Sequence, residues 1–297
     1  MESAGFRSGF VAVVGRPNVG KSTLVNALVG TKVAITSEVP QTTRRAVRGV
    51  LTAPGAQIVF LDTPGYHKPR SPLGERLNEI VRAAWSDVEV ALFVVDGHAG
   101  VGRGDERVAA ELAAVGAATL CVVNKVDLMR RPEIADALVR AAALGDFDEI
   151  VPASARSGHN LELLTDLLMA RLPEGPMYYP AGTRTDLPPP VFVAEIVREK
   201  YLERTREEVP HSIAVVPESF EERADGLQEI RVEVFVERDS QKGIVIGTGG
   251  SLLEAVGTAA RREIEALFGR RVYLELRVVV EKDWQRRSAA LERLGIG

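Results

Sequence analysis

Eight residues near the amino terminus, Gly15, Arg16, Pro17, Asn18, Val19, Gly20, Lys21 and Ser22, have the types and spacing of a phosphate cradle, GxxxxGK[ST]. The glycines let successive backbone N–H groups curl around an anion. A helix opening at Lys21, Ser22 and Thr23 adds the positive end of its dipole. In such a loop Lys21 reaches the β- and γ-phosphates, and the Ser22 hydroxyl ligates a Mg²⁺ ion that bridges the same oxygens. The competing interpretation is a plain glycine-rich turn. The run follows the apolar strand FVAVV and opens a helical pattern, which is the context a phosphate cradle needs.

Two further clusters each follow an apolar run of strand length. Asp62, Thr63, Pro64 and Gly65 come after QIVFL, so Asp62 emerges at a strand's carboxyl end, where it can face the metal from beyond its direct ligands. Gly65 would offer its N–H to the γ-phosphate and make this loop sensitive to that phosphate. Asn124, Lys125, Val126 and Asp127 come after ATLCVV. A carboxylate at Asp127 can accept from both N1–H and the exocyclic amine of guanine, and adenine has no such donor pair. Guanine nucleotides should therefore be preferred by roughly 10⁴-fold. Ser154 and Ala155, after IVPA, could bring a backbone N–H to the guanine O6. The expected ligands are GTP and GDP, and the expected metal is Mg²⁺.

Elements must carry these loops. From Gly9 to Leu172, short apolar runs alternate with helical patterns, which reads as a mostly parallel sheet covered by helices, an α/β domain over residues 1–175. Between Leu172 and Pro190 six prolines fall in 19 residues, giving a linker at 176–190. Beyond it the pattern reads helix (Val191 to Glu208), strands (Ser212 to Val216 and Glu229 to Arg238), a short helix at Gly243, a helix (Ser251 to Phe268) and a strand (Val272 to Glu281). This is an α+β domain over residues 191–297.

The 297 residues are 45% hydrophobic and 26% charged, enough for two ordinary cores. A net charge of −4 disfavours indiscriminate polyanion binding, so nucleic-acid contact must be local. Cys121 is the only cysteine and lies in an apolar run, which reads as a buried, inert thiol. The start MESAGFRSGF holds no apolar run, and no membrane span is expected; the chain reads as a cytoplasmic, soluble protein and a monomer. Four scattered histidines offer no transition-metal site. A kinase or motor built on the same cradle conflicts with NKVD.

The four loops, in this order, resemble the translation-factor-related, Ras-like GTPases from Val11 to Leu172. PQTTR, within Thr36 to Arg45, resembles the first switch of bacterial assembly GTPases, which implies that Thr43, or else Thr42, joins Mg²⁺ in the GTP state. Position 66 is tyrosine where Ras-like signalling enzymes place a water-orienting glutamine. Hydrolysis should therefore be slow. Lys21, Thr43, Asp62, Gly65 and Asn18 are the catalytic candidates. Asn18 is a candidate ligand for K⁺, which is also the activator of related GTPases and could neutralise charge beside the phosphates.

In the second domain, the α-β-β-α-α-β order around Gly247, Thr248, Gly249 and Gly250 resembles the prokaryotic (type II) KH RNA-binding fold. Its GxxG loop clamps the backbone of about four unpaired nucleotides. Ile244 and Ile246 would lie beneath bases. Lys242 is a nearby cation, with Arg261, Arg262, Arg270 and Arg271 further off. The loop itself lacks the basic residue relatives commonly carry, and Asp186 to Gly297 holds 17 Lys plus Arg against 21 Asp plus Glu, so RNA binding should be modest. The whole chain resembles the Era family of bacterial GTPases. That resemblance implies binding to the 3′ end of small-subunit ribosomal RNA, a part in 30S assembly, and peripheral contact with the inner membrane. The alternative is a GTP-regulated module whose KH-like domain docks a protein.

Overall fold

The structure is a computed structural model, which describes residues 5–69, 71–85 and 88–296. Residues 1–4, with the expectation attached to them, lie outside that range. Two compact units divide the chain after Asp186; the second, Leu187–Gly297, also takes in Ser37–Thr42 and Ser71–Leu73.

The first unit contains β1 (Arg7–Val14), α1 (Lys21–Val29), β2 (Val47–Ala53), β3 (Ala56–Asp62), α2 (Pro72–Trp85), β4 (Val90–Asp96), α3 (Arg103–Leu112), β5 (Ala118–Asn124), α4 (Arg131–Ala142), β6 (Glu149–Pro152) and α5 (Leu161–Arg171). The strands form one sheet in the order β2-β3-β1-β4-β5-β6. Every pairing is parallel except β2 with β3. Successive side chains on a strand point to opposite faces. On β1, Val11 and Val13 accordingly join Leu24 and Leu28 of α1 and Leu164 and Leu168 of α5 in one core. Ala12 and Val14 join Val81 and Trp85 of α2, Val108 and Leu112 of α3, and Ala137 of α4 in the other. Both faces of the central strands are thus buried, which explains why they read as continuous apolar runs. Cys121 is fully buried in the second of these cores, and burial pushes its thiol up to about 12.

The proline-rich stretch up to Asp186 runs along this unit. Buried Gln57 accepts from the N–H groups of Tyr178 and Tyr179 and donates to the Tyr179 carbonyl, and Thr185 bridges to Gly49 of β2.

The second unit contains α6 (Pro189–Arg204), α7 (Val209–Ser212), β7 (Ala214–Glu222), β8 (Gln228–Val236), α8 (Asp239–Ile246), α9 (Ser251–Phe268), β9 (Val272–Val280) and α10 (Ser288–Arg293). Its sheet runs β7-β8-β9, with β7 and β8 antiparallel and β8 and β9 parallel. A parallel neighbour requires a crossover, and α8 and α9 supply it. Ile230, Val232, Val234 and Val236 line one face of β8. They pack with Val256, Ala260 and Ile264, which recur every fourth residue along α9.

Candidate functional site

Strand register assembles the first site. Val13 of β1 pairs with Asp62 of β3, and Asp96 of β4 pairs with Asn124 of β5. The loops after β1, β3, β5 and β6 therefore open at the same edge, the carboxyl ends where open α/β sheets take ligands. Residues 15–20 turn from β1 into α1, with Gly20 capping the helix in the left-handed region. Val19 is the exception among the cradle residues, since its side chain is buried in the core while its carbonyl accepts from Asn124 Nδ2 at 2.9 Å. Thr23 is half-buried in the first turn of α1.

Lys21 is buried and donates to the Gly15 and Arg16 carbonyls at 3.1 and 2.9 Å. Burial lowers its ammonium to about 8, against the opposing pull of Asp62. Asp62 is fully buried, and neither of its oxygens makes a hydrogen bond. Burial raises its carboxyl to about 6; Ser22 and Lys21 pull the other way, although the Ser22 hydroxyl is not aimed at it as a well-directed hydrogen bond. The Ser22 hydroxyl instead lies 3.0 Å from that of Thr43, whereas the Thr42 hydroxyl donates to the Val39 carbonyl. A buried carboxylate without a donor, beside two hydroxyls and an ammonium, fits a hard divalent cation that takes oxygen ligands.

The loop after β3 is pressed onto the cradle. The Thr63 hydroxyl is spent on the Val13 carbonyl, and the Tyr66 N–H donates to the Gly15 carbonyl. Pro64 and Gly65 are buried, and a Cβ on Gly65 would stand 2.5 Å from the Pro17 nitrogen, so only glycine admits this approach. Tyr66 is buried against Trp85, its hydroxyl donating to Glu111 and accepting from Arg82 at 2.9 Å.

The base end is built around Asn124 and Asp127. Asn124 Oδ1 accepts the Ala155 N–H at 3.0 Å, and the Ser154 hydroxyl donates to Asp127 at 2.6 Å. Lys125 donates to the Asn18 carbonyl at 2.7 Å and pairs with Asp96 at 2.6 Å. Asn18 is exposed at the rim, in the left-handed region. Asp96 was not legible in the sequence, because its partner Lys125 lies 29 residues away.

In the second unit, Gly247 to Gly250 join α8 to α9. Gly247 has φ 76° and its Cβ position is crowded by the Leu252 nitrogen at 2.8 Å, a backbone that a side chain would strain. Thr248 and Gly249 are exposed, Ile244 is exposed, Lys242 is half-exposed, and Ile246 packs partly into the core. A groove of about 350 Å³ adjoins the loop, lined by Gly250, Leu253, Gly257, Arg261, Tyr273 and Leu276 among others. Tyr273 is 45% exposed and was not among the sequence candidates. Its signal was available: on β9 it alternates outward between Val272 and Leu274.

Comparison with known proteins shows the two domain types. Residues 10–125 match the family model described as 50S ribosome-binding GTPase, and residues 208–285 match the KH domain. The GTPase Era of Heliobacterium modesticaldum is 48% identical over 97% of each chain, and that of Mycolicibacterium smegmatis is 49% identical over 98% of this chain and 99% of its own. A crystal structure of Era with MgGDPNP and nucleotides 1506–1542 of 16S ribosomal RNA superimposes with TM-score 0.95 at 39% identity, covering 98% of this chain and 99% of that one. A tyrosine-to-alanine variant of Aquifex aeolicus Era bound to GDP and tetrafluoroaluminate, also 39% identical over 98% of this chain and 99% of that one, gives 0.94.

Proposed function

This chain belongs to the Era family of GTPases, and on that footing we propose that it is a cytoplasmic, slowly hydrolysing GTP switch. Its second unit binds the 3′ end of small-subunit ribosomal RNA and assists 30S assembly. The observation that carries the first half is the buried, unpartnered Asp62 carboxylate beside Lys21 and Ser22, whose hydroxyl meets that of Thr43.

Gly15 to Ser22 wrap the phosphates with backbone N–H groups, and Lys21 exchanges its two carbonyl partners for phosphate oxygens. Mg²⁺, held by Ser22 and Thr43 and faced by Asp62, supplies charge neutralisation at the β- and γ-phosphate oxygens when bound. Gly65, already against Pro17, presents its N–H where the γ-phosphate arrives. Asp127, oriented by Ser154, takes the guanine N1–H and amine, and Ala155 lies beside O6. Tyr66 is held by Glu111 and Arg82 and contributes no water-orienting carboxamide.

Slow turnover follows, on the scale of an unassisted Ras-like site, about 10⁻³ to 10⁻⁴ per second. Asn18 at the rim is proposed to hold K⁺ beside the phosphates; equal rates in potassium and sodium salts would remove that role. Release of phosphate by the full chain with Mg²⁺ tests the switch reading, and a turnover above about one per second would overturn it.

The RNA site is proposed to run from the Gly247–Gly250 clamp, past Lys242, Ile244 and Ile246, into the groove beneath Tyr273. The protein acts as a monomer. Membrane contact is peripheral in this reading: Asp239–Phe268 holds a window of mean hydropathy 1.3, but the clamp breaks it into two helices.

A further inference from the structure

The Arg16 side chain turns away from the cradle. Its Nε donates to Asp105 at 2.8 Å and its Nη2 to the Gly100 carbonyl at 3.1 Å. Asp105 is fully buried, and its other oxygen accepts the Gly102 N–H at 2.9 Å, capping α3. Gly104 makes the room, since a Cβ there would stand 2.3 Å from Arg16 Cδ. The same β4–α3 connection grips the cradle at a second point: Asp96 accepts from the Ala99 N–H at 2.9 Å and holds Lys125, which donates to the Asn18 carbonyl. Cradle positions 16 and 18 are thus both tied to residues 96–105.

We propose that Asp105 is a positioning residue for nucleotide binding: it holds the phosphate cradle in shape through Arg16 and so sets how long GTP and GDP stay bound. The Arg16 carbonyl is itself a partner of Lys21, so movement of Arg16 displaces both the N–H groups that meet phosphate and the lysine beside them. A buried carboxylate paired to a half-exposed guanidinium is an attachment whose loss leaves a charge uncompensated, and the loop relaxes rather than leave it so. An anion site made of backbone N–H groups works only while they converge before the ligand arrives.

This inference rests on the proposed cradle, and the experiment separates the two. Release of a methylanthraniloyl-GDP probe from the full chain with Mg²⁺ is followed in a chase with unlabelled GDP. Asp105→Asn keeps an oxygen for Gly102 and loses the charge facing Arg16. Arg16→Ala keeps the Asp105 oxygen that accepts the Gly102 N–H, and thermal unfolding of each variant shows whether the fold is kept. Each variant should release the probe about tenfold faster and raise KM for GTP, Asp105→Asn with kcat within about twofold, and the double variant should release no faster than either. Wild-type release rates in both single variants, or effects that multiply in the double variant, would overturn the brace. Undiminished probe binding by Lys21→Ala would instead strike the cradle itself.

Discussion

Lys21 and Asp62 are buried together at the mouth of the cradle, and neither is comfortable there. A buried charge without full compensation costs several kcal/mol, which is why the carboxyl rises to about 6 and the ammonium falls to about 8. Such discomfort is a signature of a site that awaits oppositely charged ligands. It also has a sign in stability. Between about 8 and the ordinary lysine value of 10.5, the unfolded chain still carries a proton on Lys21 that the folded chain has released. Stability rises with pH wherever the unfolded state binds more protons. The nucleotide-free protein should therefore gain stability from this residue as pH climbs from 8 to 10, and Lys21→Met should lack that gain. Urea unfolding of both proteins at the two pH values measures the difference. Identical pH slopes would contradict the depressed ammonium.

Elements decide which of these residues meet. The loops after β1, β3 and β5, proposed to take phosphate and base, were legible in the sequence because each follows a largely buried strand, whose unbroken apolar run marks its own end. The antiparallel strand Val47–Ala53 was not isolated, since it carries exposed Arg48 and is only partly buried toward its end. Strand β7 continues to Glu222 although Pro217 suggested an end at Val216; a register shift between Pro217 and Ser219 absorbs the missing donor. Pairings such as Arg16 with Asp105, 89 residues apart, leave no local pattern to read. Two expectations belong to this scale. Gly65→Ala drives the loop after β3 off Pro17, so affinity for a GTP analogue should fall by about tenfold while GDP binding stays within about threefold, because only the γ-phosphate needs that N–H. Equal losses for the two nucleotides, read by calorimetry, would remove the γ-phosphate contact. Tyr273→Ala should weaken binding of a single-stranded RNA by about 1–3 kcal/mol, the worth of one stacked base, with GTP affinity unchanged. Unaltered RNA affinity would place the bases elsewhere.

For the whole molecule, a chain with net charge −4, carried entirely by the half beginning at Asp186, has little general attraction for a polyanion. In the proposed reading, RNA recognition comes from geometry: a glycine clamp that would let a phosphodiester approach the main chain, and a groove with an exposed aromatic. Weak electrostatic attraction suits a switch, because a modest coupling free energy from the nucleotide can then decide whether RNA is held at all. The most direct measurement is fluorescence anisotropy of a labelled oligonucleotide copying the 3′ end of 16S ribosomal RNA, titrated with the full chain in GDPNP and in GDP. Binding at least about tenfold tighter in GDPNP, and lost in the Thr248→Asp/Gly249→Asp variant, is the result predicted. Equal affinity in the two nucleotide states, or binding that survives the double substitution, would contradict a GTP-gated RNA clamp.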